Sequence, residues 1–190
     1  MHAQIHSFTM KDLKLFEIPF IGLKQGSHLF EYEIDNTFFE AFGFHDFNSS
    51  CIQIKLEFVK KSTLFELSFH AKGFVNVDCD LSLEPYDQTI EGRFLLIVKF
   101  GEEYNDDNDE ILILPHESYQ INVSQFIYEL VILSVPSKKI HPKVLDGSMK
   151  SEALKKLQEL QVDEEKSTEE SDTVDPRWEK LKGLITEKNT

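Results

Sequence analysis

Two histidine and carboxylate arrangements are the first places to look for proton-transfer chemistry. His116 stands beside Glu117 in LPHESYQI, and His70 could serve wherever the fold brings it an acid. The seven histidines are scattered, however, and no HExxH, GxSxG or glycine-rich phosphate loop is present. No nucleophile has a base at a useful spacing, so catalysis is not expected. A different chemistry is offered by Lys138, Lys139, His141 and Lys143 in SKKIHPK, the dense basic cluster of an otherwise acidic chain. Lysines next to a helix end and a proline-defined turn suit contact with RNA phosphate. They equally suit the plain task of offsetting the preceding helix dipole in solvent. Arg177 and Trp178 are residue types that anchor interfaces, although a single Trp on a short amphipathic helix more commonly packs on its own domain.

The elements that position these groups centre on residues 109–142. Ile111, Leu112, Ile113 and Leu114 read as a short strand that Pro115 ends. Asn122 stands three residues before Gln125, the spacing of a capping box that opens a helix. Phe126, Leu130 and Leu133 then fall on one face, widened by Ile127 and Val131, and Pro136 stops the helix.

Upstream the pattern is β. Residues 16–23 read as a strand, with Pro19 more comfortable at a sheet edge. Residues 28–35 alternate, placing His28, Phe30, Tyr32 and Ile34 on an inner face, and the TFFEAF run at 37–42 reads as one helical turn or a loop wedge covering the end of a sheet. Ile52, Ile54, Leu56 and Phe58 alternate through residues 50–60, and residues 63–70 repeat the pattern after a KKS connection, so an antiparallel hairpin is predicted. Gly73 reads as an interruption and Gly92 as a bulge or bend in a run that places Phe94, Leu96, Val98 and Phe100 on one face. Residues 102–110 carry six acids and no base, which predicts an exposed loop between strands.

At 190 residues, with 41% apolar residues and 16 Phe, the chain suits one sizeable core plus a tail. Net charge −14 excludes broad coating of nucleic acid but suits a basic partner. Two cysteines, Cys51 and Cys79, are too few for a secreted disulfide scaffold. With no signal-peptide core and no apolar run long enough to cross a bilayer, a cytoplasmic protein without membrane association is expected. The expected fold is α+β: a mainly antiparallel sheet of five to seven strands, closed or half-closed as the favoured variant, with a helix packed over it. It occupies residues 1–145. Residues 146–174 follow as an acidic linker with room for a short helix, since residues 151–175 hold nine acids against three lysines. Residues 175–190 read as a terminal helix, with Asp175 as cap and Trp178, Leu181, Leu184 and Ile185 on one face.

Residues 128–141 (YELVILSVPSKKIH), together with CDLSLEPY at 79–86 and DPRWEKLKGL at 175–184, resemble the YceD-like family, the large ribosomal RNA subunit accumulation proteins of bacteria and plastids. Many members carry a C-x-x-C pair where Cys79 stands. Here its second position is Ser82, and Leu81 replaces the intervening arginine. Serine is a poor zinc ligand and one thiol makes no tetrahedral site, so neither metal nor cofactor is expected, and Cys79 reads as a semi-buried thiol in a β-turn. Glu129 matches an acidic position of the family block, suited to pair with one of the lysines or with a partner. The resemblance implies a non-catalytic role in accumulation of large-subunit rRNA and so in ribosome assembly, and the family's gene commonly lies beside one for a large-subunit ribosomal protein. The expected partners are a basic ribosomal protein or an assembly factor, with Lys138 to Lys143 touching precursor rRNA locally. The alternative is a protein-interaction module unrelated to ribosomes that uses the Trp178 helix as a detachable ligand.

Overall fold

Alternation with a period of two dominates the sequence from Gly26 to Gly101, and a computed structural model describing residues 12–157, 159 and 160 shows the sheet it produces. In chain order the elements are β1 (Glu17–Ile18), β2 (Gly26–Ile34), α1 (Asn36–Ala41), β3 (Ser49–Lys60), β4 (Leu64–Asp78), β5 (Pro85–Gly101), β6 (Asn105–Asn108), β7 (Ile111–Pro115), β8 (Ile121–Asn122), α2 (Ser124–Ser134) and α3 (Pro142–Leu145). The first compact unit holds the residues up to Asp80 and from Glu84 to His141. Of the described residues, the second holds Leu81–Leu83 and those from Pro142 to Leu160, including α3 and helical residues 152–157, 159 and 160.

The first unit is α+β, as expected. Strands β2 to β5 form an antiparallel meander, β7 adds to β5 in parallel, and β6 lies outside β7, giving the order β2-β3-β4-β5-β7-β6. The sheet is open, so the closed variant is not realised. Its β6 edge, NDDN, carries charge along its exposed side, which discourages pairing with another chain. A separate two-stranded ladder joins β1 to β8.

The core lies on one face of the sheet. Ile52, Ile54, Leu56 and Phe58 of β3 face it, as do Phe65, Leu67, Phe69 and Ala71 of β4, all buried. The helical turn predicted over 37–42 is α1: Asp35 Oδ1 accepts from the Thr37 N–H at 3.0 Å, a cap worth about 1 kcal/mol. Phe38 and Phe39 are buried beneath it, while Phe42 stacks on Tyr128 of α2 at 4.5 Å. At the other end of the sheet, Lys60 Nζ donates to the carbonyls of Phe20 and Leu23 at 2.8 and 2.9 Å and fixes that crossing segment over the Phe65 ring.

Several local expectations give way to tertiary constraints. Residues 16–23 contain only the two-residue β1, flanked by 3-10 turns at Asp12–Phe16 and Phe20–Gly22, because this segment crosses the layer above the sheet rather than joining it. Gly73 does not interrupt: β4 runs unbroken for 15 residues, and a Cβ there would lie 2.2 Å from the Cys51 carbonyl oxygen, so the glycine permits close approach of β3. Gly92 makes no bulge, since its register with Ala71 is regular; a Cβ there would lie 2.0 Å from Ser134 Oγ and 3.0 Å from Leu130 Cδ1. That glycine is the seat of α2.

The acidic loop folds into edge strand β6, and α2 begins at Ser124 rather than directly after Asn122. Asn122 Oδ1 still accepts from the Ser124 N–H at 2.9 Å, but Gln125 donates to Glu129 and does not close the capping box. The buried face of α2 is Ser124, Ile127, Leu130 and Val131. Leu133, expected inside, is 84% exposed because the glycine contact rotates the helix toward Leu130 and Ser134. The acidic stretch beyond residue 160 and the helix expected over 175–190, with Arg177 and Trp178, lie outside the described residues.

Two measurements test this packing. Gly92→Ala is expected to cost about 1–3 kcal/mol in urea unfolding, and adding Ser134→Ala, which removes the obstructing Oγ, is expected to recover part of that loss. Equal losses in the single and double variants would place the clash elsewhere. Tyr32, packed 5.0 Å from the Phe16 ring, has its phenol pushed up to about 12 by burial. The folded chain therefore holds this proton more tightly than the unfolded chain does. The stabilisation is complete below about pH 10 and is lost as pH rises through about 12. Spectrophotometric titration should show a late tyrosinate step that disappears in Tyr32→Phe, and that variant should lose less stability across the window.

Candidate functional site

The two sequence blocks at 79–86 and 128–141 meet in space through backbone hydrogen bonds. Beyond α2 the helix is stopped at Val135 and Pro136, and the chain turns back along the end of β4. Asp80 N–H donates to the Lys139 carbonyl at 2.7 Å, and Lys139 N–H donates to Asp80 Oδ2, also at 2.7 Å. Two residues further on, His141 N–H points at Cys79 Sγ at 3.3 Å, and the His141 ring lies 5.2 Å from that of Tyr86. Cys79 N–H donates to the Glu84 carbonyl at 3.0 Å, and Leu83, with φ 59°, takes the left-handed conformation in this turn. Burial, then the neighbouring Cys79 and Asp80, push the Tyr86 phenol above its ordinary value.

This clasp explains why a cysteine occupies position 79. Its side chain is wholly buried, not semi-buried, and its sulfur accepts from the backbone of the returning segment. A small, soft, apolar group that tolerates an N–H donor fits there. Among the described residues, no three His, Cys, Asp or Glu side chains converge as metal ligands.

The basic residues divide between the two units. Lys138, Lys139 and His141 sit on the clasp segment of the first, while Lys143 belongs to α3 in the second. Lys138 is exposed, and among the described residues no carboxylate pairs with Lys138 or Lys139. The last turn of α2 contains no basic residue, so offsetting that helix's dipole is a weak reason for the two lysines. Glu129 is exposed on α2 and is held by Gln125 Nε2 at 2.6 Å, and among the described residues it forms no ion pair with a lysine.

The histidines considered for proton transfer are placed apart. His70 donates to Glu91 Oε1 at 3.0 Å on the outer face of the sheet, and that bond, with the charges of His70, Lys72 and Arg93, holds the Glu91 carboxyl below its ordinary range. Ser68 lies on the same face two residues away, yet among the described residues it makes no hydrogen bond to His70. His116 stacks against Phe100 at 6.3 Å just past the end of β7, and among the described residues no hydrogen bond joins its ring to Glu117.

One feature escaped sequence reasoning. Because β6 lies outside β7, the acidic residues 106 and 109 come alongside α2 and face Glu129 across a groove. The only sequence signal was the Asn and Asp pattern at 105–109, which reads as a loop unless the β7 position is already known.

No curated protein matches the chain. No solved structure matches it either. The family model described as large ribosomal RNA subunit accumulation protein YceD does match, over residues 67–185 of the 190. That span holds more than half of the chain and includes both sides of the clasp, and the chain belongs to the YceD family.

Proposed function

We propose that this chain is a non-catalytic factor promoting accumulation of large-subunit rRNA, holding a basic ribosomal protein or assembly factor on its acidic exterior while Lys138 and Lys139 contact precursor rRNA locally. Membership of the family carries this reading. Physical support comes from the charge of −14, which favours a positively charged partner over extended nucleic acid. Further support comes from the clasp: a backbone-pinned segment presents Lys138 at a rigid point, so a phosphate contact there costs little ordering entropy.

Sedimentation of cell extracts tests the reading. The chain is expected in the fractions holding precursors of the large subunit, and its deletion is expected to lower large-subunit rRNA relative to small. Absence from those fractions together with unchanged rRNA overturns it. Lys138→Glu with Lys139→Glu should weaken co-sedimentation several-fold with no change in melting, since neither side chain is packed in the core. Asp80→Ala should instead act on stability. Losing the carboxylate that receives the Lys139 N–H is expected to cost about 1–3 kcal/mol in chemical unfolding, and an unchanged midpoint would show that the clasp does not hold the segment.

A further inference from the structure

Two adjoining cavities, of about 380 and 360 Å³, run along α2 and share Asp109, Phe126 and Glu129 in their walls. Together they form a groove whose length is set by the helix, roughly 16 Å for the 11 residues of α2, about the reach of five extended residues. The floor of the larger cavity is apolar, with Phe94 of β5 and Phe126 of α2 nearly parallel, 6.3 Å apart, and buried Leu130 beside them, while the second cavity is lined mainly by polar side chains. Leu133 at one end is 84% exposed and Tyr104 at the other is 56% exposed.

Charge in the lining is one-sided. Asp106 and Asp109 come from β6 and the turn that follows it, and Glu129 from α2, against a single cation, Arg93, which already faces Glu91 at 3.7 Å. The three carboxylates come from two parts of the chain, Asp106 and Asp109 on one side and Glu129 on the other, and line the groove beside its apolar floor. An apolar strip with carboxylates above it is complementary to a segment carrying an apolar side chain between lysines or arginines.

We infer that the groove between α2 and β6 is a docking site for a short basic segment of a partner protein, which seats one apolar side chain on Phe94, Phe126 and Leu133 and places its cations against Asp106, Asp109 and Glu129. This names the surface that the proposed function leaves open and rests on that reading for the identity of the partner. RNA does not fit here: its phosphates meet carboxylates.

The test titrates the full chain with a fluorescent synthetic peptide of lysines flanking a leucine pair. Three variants at exposed positions accompany it: Asp109→Lys with Glu129→Lys, Leu133→Ser, and Glu117→Lys as a control acid outside the groove lining. Binding is expected to weaken about tenfold in the double reversal, about threefold in Leu133→Ser and not at all in Glu117→Lys, with affinity falling as salt rises. Equal binding by all variants overturns the inference. So does binding lost only on deleting residues 161–190, which would make the acidic tail the holder. An all-lysine peptide that binds as well as the leucine-bearing one also overturns it, since the apolar floor would then be idle. Sedimentation of the same variants separates the two claims. If the double reversal still travels with large-subunit precursors, the groove is wrong and the reading stands; if the unaltered chain does not travel with them, the reading fails whatever the peptide does.

Discussion

The seating of α2 at Gly92 is the contact from which the positions of the other features follow. With no side chain at that point of β5, the helix lies directly on the sheet, Ser134 Oγ and Leu130 fill the space a Cβ would take, and Ser134 returns its own proton to the Leu130 carbonyl at 2.6 Å. Rotation of the helix follows from that contact. Ile127, Leu130 and Val131 are driven inward, Leu133 is left facing water, and Tyr128 is brought onto the aromatic cluster of α1. The exit of the helix is fixed by the same contact, and with it the line along which residues 135–141 reach Cys79 and Asp80. Both ends of the molecule's chemistry, the clasp and the groove, are therefore set by one close approach of helix and strand.

The parts of the fold legible in the sequence were those ruled by local periodicity. Alternation at 52–58 and 65–71 is a direct imprint of a sheet with one buried face, and the matching residues are buried in the structure. The TFFEAF turn and the helix before Pro136 were legible for the same reason, since apolar spacing and a proline stop act within a few residues. Glycines were misread because their cause is not local. An interruption, a bulge and a close approach all look alike in sequence, and only the Cys51 carbonyl opposite Gly73 or the Ser134 hydroxyl above Gly92 tells them apart.

Site residues were legible to a lesser degree. The basic cluster was visible as a run, but its anchoring through Asp80 could not be, because the partner lies 59 residues away in the chain. Cys79 was read as a semi-buried thiol in a β-turn, whereas the structure buries it fully and sets its sulfur against the His141 N–H. Glu129 was noticed as an acid suited to a lysine or to a partner, but that it shares a groove with Asp106 and Asp109 had no signal in the sequence. The parallel pairing of β5 with β7 had no local signature, and everything built on the β6 edge was hidden with it.

That pairing has a kinetic side. The hairpins of β2 to β5 join neighbours in the chain and can zip one after another, whereas β7 pairs in parallel with β5. Edge strand β6 is joined to β7 by a tight turn, so those two can pair locally as a hairpin, and it is the parallel docking of β7 on β5 that has to wait for the meander. The same pair holds few ladder bonds, and amide protons at 105–115 should exchange ahead of those in the meander. The acidic wall beside α2 therefore stands on the outermost, shortest strands of the sheet and not on the long meander.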